Sequence, residues 1–168
     1  MKEKAFWSSI AGFFIVSLAG TVCHYLYELS GDNLLVGIFT PINESVWEHL
    51  KLLLYPVLLY TAVEYFIYGR KIQGFVYSRV MGLLAGLIFI PISFYAYNIF
   101  TRNNIAAADI MIYYISVVIV FFIGAERIIS GKDNAWNKNK QAAVIIAGLI
   151  LVFTVLTFFK PDTALFQP

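Results

Sequence analysis

The chain has 168 residues, 60% of them hydrophobic and 13% charged, with a net charge of +2 and a mean hydropathy of +0.76. A water-soluble domain carries about 25% charged residues, so this composition excludes an ordinary globular enzyme, and so small a positive charge leaves no nucleic-acid footprint. The single cysteine, Cys23, excludes an intramolecular disulfide and a Cys-x-x-Cys metal or redox motif.

Apolar runs of about 18 residues or more read as membrane spans. Five occur here, and none shows the alternating polarity of a barrel strand. The sequence therefore predicts an all-α integral membrane bundle of five transmembrane helices, forming one domain over residues 1–168. The first helix is expected over about 6–29 and is broken by Ser30-Gly31-Asp32-Asn33. Its charged start resembles a secretory signal, but the apolar run continues to about Cys23 with no small-x-small cleavage site, so it is expected to stay as a signal anchor. A short apolar connection, Leu34 to Thr40, leads to the second helix, expected over 41–68. Thr40 suits its cap and Pro41 its first turn.

The third, fourth and fifth helices are expected over about 75–100, 106–129 and 140–159. Pro56 and Pro91 lie inside the second and third, where each removes a backbone donor and favours a kink. Gly82-x-x-x-Gly86, and Gly12 with Gly20 on the first helix, mark faces where helices approach closely.

Cytoplasmic loops retain Lys and Arg. With the N-terminus inside, nine of the twelve basic residues fall on the inner side; Lys51, Arg102 and Lys160 fall on the outer side. The expected topology is N-terminus inside and C-terminus outside, with Trp47 near the outer interface.

This topology gathers the polar residues outside. His24, Glu28, Asp32, Asn43, Glu44, Glu48, His49, Lys51, Arg102 and Asp109 all fall there, including both histidines and, with Asp162 beyond the last helix, six of the ten carboxylates. His24 and Glu28 are four apart and share a helix face. On a helix starting at Pro41, Glu44 and Glu48 share one face, Ser45 and His49 the next, and Asn43, Trp47 and Lys51 a third row. Two imidazoles with several carboxylates suit a divalent metal such as zinc, although no His-Glu-x-x-His or Glu-x-x-His template is present.

The expected ligands are His24, Glu28 and His49. Glu44, Glu48 and Lys51 are the candidate catalytic groups: either glutamate as ligand or base, and Lys51 or Arg102 as an anion contact. Asp109 completes the cluster or serves its own helix start. The plainer alternative puts the cluster at headgroup depth, with Glu44 and Glu48 favouring a helix dipole. Glu64 lies toward the inner side, where a carboxylate is costly unless it meets a partner such as Arg79.

The eleven residues Pro41 to Lys51, with the pattern Pro-x-Asn-Glu-Ser-x-Trp-Glu-His-x-Lys, resemble the signature of a family of small, uncharacterised prokaryotic polytopic membrane proteins of about this length. The resemblance implies a multi-pass protein of the prokaryotic plasma membrane and a functional motif, and it implies no activity, substrate or cofactor.

Three functions remain open on sequence. The first is an outer metal or cation site supporting a hydrolase or transferase on lipid-like substrates. The second is a proton- or cation-coupled transporter with Glu64 as its inner station. The third is a non-catalytic membrane subunit. The expected partners are the bilayer, a lipid-like or small cationic ligand, and a second copy of the chain in a homo-oligomer.

Overall fold

The computed structural model describes residues 2–167, except for the side chain of Trp136. In chain order its elements are α1 (Lys2–Leu29), α2 (Leu34–Phe39), α3 (Val46–His49), α4 (Lys51–Ile67), a 3-10 turn at Gly69–Lys71, α5 (Phe75–Thr101), α6 (Ala106–Ser130), α7 (Trp136–Phe158) and a 3-10 turn at Ala164–Phe166. The described residues contain no strand. Leu50 joins α3 to α4 in helical conformation, at φ −60° and ψ −25°. Val46–Ile67 thus counts as one of five helices long and apolar enough to cross a membrane, with Lys2–Leu29, Phe75–Thr101, Ala106–Ser130 and Asn137–Phe158.

The second long helix starts at Val46, later than the Thr40-Pro41 pair suggested. Thr40 instead closes α2, its N–H bonded to Val36 O, while Asn33 caps the other end of α2 by accepting from Leu35 N. Ser45 caps α3 and accepts from Glu48 N at 3.4 Å, and Asn43 Oδ1 accepts from Ser45 N at 2.9 Å. A Ser-x-x-Glu pattern is a stronger start than Thr-Pro because side chains of both residues take up orphan donors. Here the Glu48 carboxylate reaches back beyond the cap and accepts from Ile42 N at 3.0 Å.

At one end of the bundle, Ala5, Tyr68, Phe75 and Ile128 form a small core that ties together α1, α4, α5 and α6. Asp133 latches the α6–α7 turn to this end. Arg127 donates to both of its oxygens at 2.8 Å, and Ser78 Oγ donates to it at 2.9 Å. Gly74, at φ +70°, starts α5, and a Cβ there would collide with the Asp133 carbonyl. At the other end, the Trp47 ring stacks on Phe153 at 4.4 Å and 18° and lies 5.0 Å from Phe166. The main core between them includes Val16, Leu53, Leu54, Val57, Leu83, Val117 and Val120.

The glycine faces do what their spacing predicts. A Cβ on Gly82 would strike the Val120 carbonyl, and one on Gly86 would come within 3.1 Å of the Ser116 carbonyl. On α1, Gly12 makes room for Phe121 and Tyr60, and Gly20 for Tyr113. Helices α4 and α5 run on through Pro56 and Pro91. Proline removes the i→i−4 bond, so Pro56 leaves the Leu52 carbonyl without its helical donor. Tyr113 Oη of α6 lies 3.4 Å from that carbonyl and 3.0 Å from Val16 O.

Candidate functional site

Near the Trp47 end, α1, α3, α4, α5 and α6 enclose a cavity of about 450 Å³. Its floor is the junction just described, with Gly20, Leu52 and Tyr113. Its walls include Ile90, Phe94, Ile110 and Ile112, and its polar groups are His24, Glu44, His49, Asn104 and Asp109. Three helices far apart in sequence thus bring both imidazoles and two carboxylates to one apolar chamber.

The two imidazole rings face each other with centroids 5.2 Å apart. His49 Nε2 is 3.4 Å from Glu44 Oε2. One donor atom from each of His24, Glu44 and His49 lies within 4.8 Å of the other two. The His49 tautomer follows from its partner: Nδ1 lies 2.9 Å from the Ser45 carbonyl, which can only accept. Nδ1 therefore carries a proton, and Nε2 is the nitrogen that faces Glu44. An imidazole oriented this way through its second nitrogen is the usual arrangement of a metal ligand. His24 Nδ1 is buried with no hydrogen-bond partner in the protein, so His24 also keeps coordinating capacity unspent.

Zinc bonds of about 2.0–2.1 Å put tetrahedral ligand atoms roughly 3.3 Å apart. The Glu44–His49 pair already has that spacing, and the widest pair would close by at most about 1.5 Å. The Glu44 side chain is 72% exposed and sits ahead of the α3 cap, so it has the freedom to make that adjustment.

The whole of residues 1–168 matches a family described as of unknown function (DUF6512). The chain belongs to that family. No curated protein and no solved structure matches it.

Of the other sequence-predicted residues, some line this chamber, some hold its scaffold and some lie outside both. Asp109 lines the chamber and accepts a hydrogen bond from Tyr97 Oη, which holds one carboxylate oxygen in place. Glu28 is exposed and outside the His24–Glu44–His49 group. It lies one turn nearer the end of α1, beyond the chamber. Arg102 is exposed at the end of α5, in left-handed conformation at φ +53°, and does not line the chamber.

Glu48 and Lys51 are fully buried on another side of the helix. Lys51 Nζ donates to Glu48 Oε2 at 2.8 Å, Gly37 O at 2.7 Å and Thr40 O at 3.2 Å. All three ammonium protons are used, and they pin α2 and its connection onto α4. Asn43 and Trp47 serve the same scaffold, one by holding Ser45 and the other by docking on α7.

Glu64 pairs with Arg79, deep in the half away from the chamber. Its Oε1 accepts from Arg79 Nη2, from Tyr68 Oη at 2.7 Å and from Ser8 Oγ at 2.7 Å. Arg79 also donates to Ser9 Oγ and lies 5.3 Å from the Phe121 ring centroid. Sequence reading missed Asn104 and the Tyr97–Asp109 bond. Asn104 sits in the Arg102-Asn103-Asn104 turn ahead of α6, so only its proximity to Asp109 in the chain pointed to it.

Proposed function

We propose that this is a multi-pass protein of the plasma membrane, N-terminus inside. Its outward-facing chamber binds a divalent metal, zinc being the best match to two imidazoles and a carboxylate, and supports hydrolysis of a lipid-like substrate. The observation that carries the reading is the convergence of His24, Glu44 and His49 donor atoms within 4.8 Å at the rim of an otherwise apolar chamber. The placement in the membrane is supported by the five long apolar helices and by the concentration of basic residues at the Ala5–Tyr68–Phe75 end.

Two histidines and one carboxylate leave a fourth position for water or substrate, as in catalytic zinc sites. When bound, such an ion activates water and polarises a substrate oxygen. The chain's own groups do the rest. The Ser45 carbonyl fixes the His49 ring. Asp109, oriented by Tyr97, presents a carboxylate to the same chamber, suited to taking a proton from water. The apolar wall below these groups leaves the site open to water only at its rim, where Glu44 is exposed. Glu48 and Lys51 hold the motif in shape. Glu64, its Oε1 held by Arg79, Tyr68 and Ser8, serves as a buried ion pair in the other half of the bundle.

The test is metal content of the detergent-purified protein by elemental mass spectrometry, followed by zinc titration after chelation. About one ion per chain is expected, with loss of binding in His24→Ala and His49→Ala. Protein that takes up no ion, or variants that bind as the parent does, would overturn the reading.

A further inference from the structure

The chamber has a second opening, on the side of the bundle. Toward the middle of the molecule, α1 and α6 are in close contact: Gly12 accommodates Phe121 and Tyr113 reaches the Val16 carbonyl. Above Tyr113 the two helices leave space between them. Thr21 and Tyr25, one turn apart on α1, line the chamber, as do Ile110 and Tyr114, one turn apart on α6.

All four are also on the outer surface. Tyr25 and Ile110 are each 56% exposed and Tyr114 is 39% exposed, and Thr21 is exposed too. Residues that line a cavity and face outward at the same time mark its mouth. The surface around this mouth is apolar: Leu18 and Val22 of α1 and Met111, Ile115 and Val118 of α6 are all exposed. In a protein that spans a membrane, such faces meet lipid tails. The mouth therefore opens into the hydrocarbon, while the rim at Glu44 and Asn104 lies at the polar end.

From this geometry we infer that the substrate of the chamber is a bilayer lipid of the outer leaflet, admitted sideways between α1 and α6. Its head and the bond to be cleaved lie at His24, Glu44 and His49, and one acyl chain runs down past Ile90, Phe94 and Leu52 to the Tyr113 floor. This inference names the substrate class of the metal site proposed above and rests on that reading for its chemistry, but not for its binding. A chamber of about 450 Å³ falls within the range of about 300–1,000 Å³ usual for small-molecule sites, which suits one chain. A water-soluble substrate would have no use for a lipid-facing mouth or for an apolar depth below the polar groups.

The test uses the full chain in nanodiscs of phosphatidylcholine containing a trace of phosphatidylcholine with a diazirine near the end of one acyl chain. It is run once in chelator and once with zinc. After irradiation and digestion, labels are mapped by mass spectrometry. Labels at the chamber positions Leu52, Ile90 and Phe94 are expected, in addition to those at Leu18 and Val118 on the lipid-facing surface.

Thr21→Trp and Ile110→Trp narrow the mouth at exposed positions, where folding tolerates change. They are expected to cut chamber labelling at least five-fold while leaving surface labelling as it was. Labelling confined to the outer surface, or chamber labelling indifferent to both tryptophans, would overturn the inference. Because the chelator arm reads lipid without metal, chamber labelling in protein that binds no zinc would remove the metal reading and leave the lipid site standing.

Discussion

Glu48 and Lys51 show what a buried charge pair contributes when it is not the reacting centre. Both are withdrawn from water, and the ammonium spends its remaining protons on the Gly37 and Thr40 carbonyls. Removing one partner leaves the other charged and unpaired in a medium that cannot solvate it, at about 3–5 kcal/mol. Lys51→Met is expected to lower the unfolding temperature sharply in detergent, and Glu48→Gln combined with it to recover part of the loss. A Lys51→Met protein as stable as the parent would show that the pair has no such role.

Residue spacing alone could not separate this pair from the chamber. Reading Pro41 to Lys51 as one continuous helix put Glu44 and Glu48 on a common face. Glu44 precedes the Ser45 cap, so helical spacing does not apply to it, and its side chain reaches His49 while Glu48 turns away. The pairing of His24 with His49 across two helices was legible from topology, since both sit at the same end of neighbouring spans.

Among the elements, α5 and α6 depend on the smallest side chains. The backbone of α6 at Val120 rests where a side chain on Gly82 would stand. Overpacking a tight contact costs typically 1–3 kcal/mol, and the obstruction here is rigid backbone. Gly82→Leu is expected to destabilise by about 2–3 kcal/mol or more, read as a lower unfolding temperature, and Gly148→Leu, where nothing lies within 4 Å, should be nearly silent.

Pro56 has a consequence at the same scale that propensity rules do not give. They mark it as a defect in α4, yet the carbonyl it frees at Leu52 lies within reach of the Tyr113 hydroxyl of α6. The five long helices were legible because hydrophobic length is a local property. The start at Val46, the short α2 and the Asp133 latch were not, because each depends on which of several competing caps and partners wins in three dimensions.

The whole molecule is electrically lopsided. Nine of its twelve basic residues lie toward the Ala5–Phe75 end and six of its ten acidic residues toward the His24–His49 end. A polybasic end is held on the cytoplasmic side during insertion, so this asymmetry predicts topology. In a Cys23→Ser background, Asn103→Cys is expected to react with a membrane-impermeant maleimide on intact cells, and Lys132→Cys only after the cells are opened. The reverse pattern would turn the chamber toward the cytoplasm and exclude an outer-leaflet substrate.

The stacking of Trp47 on Phe153 and beside Phe166 also bears on how the protein is made. Chains are synthesised from the N-terminus, and early segments fold before later ones exist. The motif around Trp47 leaves the ribosome early, but its packing partners belong to the last long helix and the turn after it. Until these arrive, the indole lacks the two aromatic rings that cover it. The stack that closes this end of the bundle therefore forms last, once the final long helix and the turn after it have been made.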